Sequence, residues 1–389
     1  MNVPKLRFKE FNDEWQKVKI SSFVNESKRK TGDIKKYPLW SLTIENGVTP
    51  KTDRYERSFL VKKEDNYKIV YPNYYVYNPM NAHLGAIARN KSDKSISVSG
   101  YYDIFSINND YYGFYDNYFI SPVMFKKYKL ISSGSLLEKQ RVHYSQFKEL
   151  KIYLPSDKEQ KKIADMLELL DKKIELQTKR IEVLKLFKLA LQNNIYASIN
   201  NKIKLEDIGC FISGYGFPEK YQGHKNLSIP FYKVSDMNNF GNEIYMNNSN
   251  NTLSLEICSH LKLRPIPNRS IIFAKIGAAI MLDRKRIATP PFLIDNNMMS
   301  YYINREDIDF DYIFYFLDSI KFSHYVQQGA LPSLSSGDLG KIKIPFVNIQ
   351  KQKIIGTTFN LYTRKIILET EKLSKLFELK KALMYNMFI

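Results

Sequence analysis

Lysine and arginine stand interleaved with tyrosine at several places in this 389-residue sequence, and such residues meet a polyanion well. Lys51, Arg54, Tyr55 and Arg57 form one cluster, and Arg89, Lys91 and Lys94 another. Further along, Lys275 precedes Gly277, and Arg284-Lys285-Arg286 follows it. Each cluster falls in or beside an expected loop after a strand. Arginine and lysine there can hold phosphates, and arginine can read a guanine edge through two parallel hydrogen bonds. For any one of these residues a solvated charged loop is the plain alternative. Recurrence in two parts of the chain favours the polyanion.

Catalytic constellations are weaker. Thr289-Pro290-Pro291-Phe292 resembles the Pro-Pro-aromatic loop of adenine methyltransferases, but threonine stands where a residue that bonds the target amine is needed. A glycine-rich cofactor loop is missing unless Gly214-Tyr215-Gly216 serves. Asp157, Glu159 and Lys161 have the types of a metal-dependent nuclease, yet they follow Pro155 at a helix start, where acids suit the helix dipole. Cys258 and His260 alone are not a zinc set. No catalytic residue and no metal ligand is expected.

The charge balance agrees with a polyanionic partner. Lysine and arginine number 59 against 40 acids, a net charge of +19. Two cysteines, Cys210 and Cys258, make no disulfide framework, so a cytoplasmic protein is expected. The charged opening MNVPKLRFKEF lacks the apolar core of a secretory signal, and no apolar run is long enough to span a bilayer.

The elements that must position the basic clusters occur twice. KIYLPSDKEQKKI, from Lys151, parallels KIKIPFVNIQKQKI, from Lys341. After a two-residue insertion in the second copy, nine of 23 positions are identical between 173–195 and 365–387, where chance gives roughly one or two. Leu84-Gly85-Ala86 matches Ile276-Gly277-Ala278 at the same offset, and YPLWSL at Tyr37 parallels IPFYKVS at Ile229.

Residues 158–195 contain neither proline nor glycine. Their apolar positions alternate by four and three: Ile163, Leu167, Leu170, Ile174, Ile181, Leu184, Leu191 and Ile195. The second copy reads Ile355, Phe359, Tyr362, Ile366, Leu373, Leu376, Leu383 and Met387. That period is a coiled-coil seam. Polar breaks at Gln177 and Lys188 recur at Glu369 and Lys380, so the two helices are expected to pair with each other. Leu176, Val183, Phe187 and Leu189 lie outside the seam and leave room for a further protein partner.

The globular halves read as mixed strands and helices. Strands are expected at 17–20, 39–42, 70–77, 96–98, 104–107 and 151–154, with a helix within 115–128. In the second half strands are expected at 229–234, 270–274, 279–282, 298–303 and 341–344, with a helix over 311–328.

Together these residues resemble the specificity subunit of type I restriction–modification systems. The resemblance rests on Pro155, Glu159, Gln160 and Ile163 with their long helix, and on Pro345, Gln350 or Gln352, and Ile355 with theirs. It rests also on Tyr77-Asn78-Pro79-Met80 with Gly85, and on the opening PKLRFKEFNDEW. Ile212-Ser213-Gly214 with Pro218, leading to Lys233-Val234-Ser235-Asp236-Met237, completes it. The chain departs from the family at Ile349, where glutamate often precedes glutamine, and in its two extra residues there.

The resemblance implies an α+β fold with a pseudo-twofold internal repeat. Two globular target recognition domains (1–155 and 199–348) are separated by two long antiparallel coiled-coil helices (156–198 and 349–389). Each domain reads half of a split, asymmetric double-stranded DNA site, and the helices act as a ruler. The chain itself is non-catalytic and binds no cofactor. Two modification subunits carry S-adenosylmethionine and methylate adenine; restriction subunits use ATP and Mg²⁺. DNA contacts are expected at Ser41, Asn46, Lys51, Arg54, Asn81, His83, Arg89 and Lys91. In the second half they are expected at Lys233, Ser235, Asp236, Asn238, Lys275, Arg284 and Arg286. A coiled-coil scaffold joining two protein-binding domains, and a methyltransferase, are the competing readings.

Overall fold

The computed structural model describes residues 2–50, 67–133, 141–327 and 331–389. The chain forms two compact units, residues 1–179 with 371–389, and residues 180–370. Each takes in part of both long helices, Asp157–Ala197 and Ile349–Met387.

In the first unit, Gln16–Lys19 pairs antiparallel with Lys151–Leu154 beside a four-stranded antiparallel sheet. The sheet order is Val24–Ser27, Asp103–Ile107, Tyr75–Tyr77, Ile87–Arg89. Side chains alternate across a strand. Tyr75, Tyr77 and Phe105 therefore join a core with Trp15, Phe114, Phe119 and Phe147. Val76 and Ile104 join a second core with Leu42, Val70, Ile96 and Val98.

The second unit repeats the plan. Lys202–Lys204 pairs with Lys343–Pro345, and the four-stranded order is Gly209–Ser213, Met298–Ile303, Ser270–Ala274, Lys285–Ala288. Ile271, Phe273 and Tyr301 face one core, and Ile272 and Met298 the other. The YPLWSL and IPFYKVS segments also match. Leu39 bridges Ser97 in parallel, and Phe231 pairs with Leu293 in parallel.

Four expectations are corrected. The strand expected over 70–77 is two, Tyr67–Val70 and Tyr75–Tyr77, because the chain turns at Asn73 with φ 66°. Residues 279–282 belong to a 3-10 helix, Ala278–Leu282, rather than a strand. The helix expected over 311–328 is Phe310–Ser319, started by Asp309, whose carboxylate accepts from Tyr312 N at 2.9 Å. The Leu84-Gly85-Ala86 match is one of letters. Gly85 closes a 3-10 turn at φ 100°, whereas Gly277 opens one at φ 80°.

The helix starts explain the two-residue insertion. Gln160 Nε2 donates to Pro155 O at 3.0 Å, and Gln352 Nε2 donates to Val347 O at 2.7 Å. Both bonds reach back five residues, so the insertion is absorbed between Pro345 and Val347. Glu159 does more than cap. Its buried carboxylate takes Arg7 Nε and Nη2 at 2.8 and 2.7 Å, tying residue 7 to the helix.

Within each unit the long helices run antiparallel. In the first, Lys380 Nζ meets Asp171 at 2.6 Å, while Ile163 and Leu167 share a core with Met384 and Met387. In the second, Arg180 pairs with Glu369 at 3.4 Å, and the Phe187 and Tyr362 rings lie 5.6 Å apart. Partner numbers fall on one helix as they rise on the other. Ile163, Leu167, Leu170, Ile174, Ile181 and Phe359 are buried, and Leu184, Leu191, Ile355, Tyr362, Ile366, Leu373, Leu376 and Leu383 are half-buried. Each fully buried leucine or isoleucine contributes about 2 kcal/mol. The polar breaks have found partners: Glu369 and Lys380 bond across the helix pair. Lys188 instead bonds Asp318 at 3.0 Å and lies over the Tyr315 ring.

Each helix end plugs a core. Phe388 packs edge-on against Phe114 and Tyr118, and Tyr196 packs edge-on against Tyr312 and Phe316.

Candidate nucleic-acid interface

In the first unit Ser41 sits half-buried on the strand Trp40–Thr43, and Asn46 is exposed in the turn to Gly47–Pro50. The turn is shaped by Asn46 N donating to Thr43 Oγ1 at 3.1 Å. Lys51 and Arg54 lie outside the described residues. Asn81 is exposed beside the 3-10 turn Ala82–Leu84, on which His83 is half-buried. The His83 Nδ1 atom is buried without a hydrogen-bond partner.

Arg89 is the clearest correction. Its Nε and Nη2 bond the Asp116 carboxylate at 3.1 and 2.9 Å, its Nη1 bonds Asn73 at 2.6 Å, and its guanidinium lies over the Tyr112 ring. Burial alone would lower its proton affinity, but the hydrogen bonds and charge of Asp116 outweigh that and raise it. Tyr75 donates to the same carboxylate at 2.8 Å, and burial, then Asp116, pushes its phenol well above the ordinary range. A guanidinium so filled is an internal strut, not a free reader of a ligand. Lys91, exposed, reaches Asp116 from outside at 3.2 Å and keeps its solvent face.

In the second unit the 3-10 helix Val234–Asn238 carries Ser235 and Asn238 outward. Asp236 is corrected: it is buried and holds its own loop together. Its carboxylate accepts from Lys233 N at 2.8 Å and from Asn250 Nδ2 at 2.6 Å. Burial raises its proton affinity, and those hydrogen bonds oppose the rise. Lys233 Nζ is half-buried and bonds Gln222 at 3.1 Å.

Arg284 and Arg286 fit the expected chemistry better. Arg284 bonds Asn238 and, among the described residues, forms no ion pair. Arg286 donates to Lys285 O at 3.0 Å, and its Nε is buried without a partner. Burial, then the like charge of Arg284, lowers its proton affinity. Lys275 is half-buried, likewise with no carboxylate in ion-pair range among the described residues. Lys285, between the two arginines, is structural: it bonds Ile320 O at 2.7 Å and lies over the Phe322 ring.

Two further features lie outside the residues expected from sequence. An open groove of about 510 Å³ in the first unit has Lys28, Arg29, Tyr71 and Tyr74 in its lining, together with Glu26, which pairs with Lys28 at 3.5 Å. Arg29 bonds the Tyr71 hydroxyl at 3.0 Å. The run Lys28-Arg29-Lys30 was the signal for it. The other is the asparagine-rich loop around residues 238–251, whose composition marks it and whose shape is set by hydrogen bonds of its own asparagines to residues five to fourteen positions away.

The methyltransferase motifs dissolve. Phe292 is buried in a core, out of reach of any base. Gly214 is needed for packing, since a Cβ there would lie 1.9 Å from Asp295 O. Among the described residues no group of three or more metal-ligating side chains comes together, and no helix is long and apolar enough to cross a membrane.

Comparison with known proteins fits this geometry. The type I restriction modification DNA specificity domain matches residues 12–186 and again 199–378. A relative from Methanocaldococcus jannaschii, provisionally named the MjaX specificity subunit of a type I restriction enzyme, is 24% identical over 265 residues. The match takes in 62% of this chain and spans 59% of that relative's length. The S subunit of a type I restriction-modification system from M. genitalium superposes with TM-score 0.58 at 16% identity, over 100% of this chain and 99% of that one. A chain from work on complex assembly and conformational transition of the type I R-M system gives TM-score 0.61 at 12% identity, over 97% and 98%. At such identities the likeness is one of fold. The specificity-domain match, made twice and covering most of the sequence, carries the assignment: the chain belongs to the type I restriction modification DNA specificity family.

Proposed function

We propose that this chain is the DNA-recognition subunit of a type I restriction–modification complex. Each unit reads one half of a split, asymmetric duplex site, and the paired helices set the spacing of the halves. A helix of the observed length, 41 residues, is roughly 60 Å long against ~34 Å per DNA turn. The observation that carries the reading is a scaffold built twice with different surface loops. Both units keep the same four-stranded order, while the loop that holds Lys91 in one and the loop that holds Arg284, just ahead of the strand bearing Arg286, in the other share little. One architecture with two surfaces suits two unlike half-sites.

Two modification subunits that bring S-adenosylmethionine, and restriction subunits that use ATP and Mg²⁺, are the partners in this reading. The helices support a duplicated partner. Leu169 and Leu176 on the first helix, and Leu361 and Leu368 at the repeat-equivalent places on the second, are each more than half exposed. A bare leucine pair, one heptad apart and present twice, fits the same partner bound twice.

Mapping methylated adenines in cells with and without this chain tests the proposal. A bipartite motif whose methylation depends on the chain is expected. Methylation that is indifferent to the chain, with no salt-dependent duplex binding when modification subunits are supplied, rejects it.

A further inference from the structure

The second unit holds a phenyl ring almost wholly in water. Phe240 is 91% exposed. Its loop is anything but loose. Asn242 is fully buried and uses both ends of its amide. Its Nδ2 donates to Asp236 O and Asn248 O at 2.8 and 2.7 Å, and its Oδ1 accepts from Asn247 N and Asn248 N at 2.8 and 2.9 Å. Asn248 Nδ2 then grips Phe240 O itself at 2.9 Å, and Gly241 turns the chain at φ 87°. A polar framework this complete fixes the backbone on both sides of the ring and offers the ring nothing to pack against.

The surroundings identify what the ring meets. Exposed asparagines, Asn238, Asn247 and Asn248, stand about it, and Arg284 is bonded to Asn238 on the same loop. A protein-binding centre has contiguous apolar surface. A single ring among amides and a guanidinium instead matches a nucleic acid, where a ring can enter a base step, amides meet base edges and arginine meets phosphate. The first unit has a similar feature. Tyr101, 86% exposed, stands at the turn between Ile96–Ser99 and Asp103–Ile107, next to Tyr102, which packs on its second core. Phe240 stands three residues after Met237, a member of the corresponding second core.

We infer that Phe240 is a wedge residue that inserts into the base stack of the bound duplex, with Arg284 holding the adjacent phosphate. This rests on the DNA-recognition reading above and adds to it a residue that distorts the helix.

The test uses the chain assembled with its modification subunits on a duplex bearing its mapped site. 2-Aminopurine is placed at successive steps of the half-site read by the second unit. The parent complex should brighten the probe at one step. Phe240→Ala should abolish that signal and weaken specific binding about tenfold or more, with non-specific binding and its salt dependence unchanged. Phe240→Leu, still an apolar wedge, should recover part of both. Because the ring makes no core contact, the melting temperature of Phe240→Ala should match the parent. Parent binding without a fluorescence change, or an alanine variant equal to the parent, overturns the wedge and leaves DNA recognition standing. A parent complex that binds no duplex overturns both.

Discussion

The two units solve one packing problem in opposite ways. In the first, Tyr75 faces Arg89 across the sheet, and both close on Asp116 of the helix Tyr112–Tyr118. In the second, the matching strands place Ile271 opposite Ile287. The matching helix position is Phe314, midway between Tyr312 and Phe316 as Asp116 is midway between Phe114 and Tyr118. All three second-unit residues are buried and apolar. The scaffold therefore accepts either a filled ion-pair network or plain apolar packing. What it does not accept is half of a network.

The largest effect that follows is on Phe314→Asp. A carboxylate there has no Arg89 to meet, and the second unit should lose at least about 4 kcal/mol by denaturant unfolding. Next comes Asp116→Ala, which strands a largely buried guanidinium and should cost the first unit about 3 kcal/mol. The triple change Tyr75→Ile, Arg89→Ile, Asp116→Phe should recover most of that loss. If the alanine variant is as stable as the parent, the contrast between the units is wrong.

A third, smaller effect separates struts from readers. Arg284→Gln with Arg286→Gln should reduce the salt slope of duplex binding by about 2, one per phosphate contact, with little change in unfolding. Arg89→Gln should do the reverse. Equal salt slopes for the two sets would erase the distinction. The smallest effect is on pH. Burial raises the folded proton affinity of Asp236 and of Asp295 from its ordinary value, against the pull of their hydrogen bonds. Their contribution to stability is present below the unfolded value and is lost as pH rises through the folded one. Hydrogen exchange in the second unit should show that decline, and Asp236→Asn should flatten it. An unaltered pH slope in the variant would remove Asp236 as the cause.

The long helices were legible because their signal is local and repeated. A seven-residue rhythm without proline leaves little else to form, and the strands Lys151–Leu154, Ser270–Ala274 and Met298–Ile303 lie where short apolar runs placed them. The break at Asn73 was visible in Pro72-Asn73 but outweighed by the aromatic run around it. The candidate site was less readable. Nothing near Arg89 announces Asp116, 27 residues on. By contrast Asp236 bonds Lys233 N only three residues back, a capping pattern that composition hid. Charge type is written in sequence. Whether a charge is already neutralised is decided by distant partners.

Phe388, packed edge-on against both Phe114 and Tyr118, has a consequence for biosynthesis. The first unit draws on residues 371–389, whereas the second is contiguous over 180–370. Residues 371–389 follow the whole of the second unit in the chain, so the aromatic core of the first unit is completed only after the residues of the second have been synthesised.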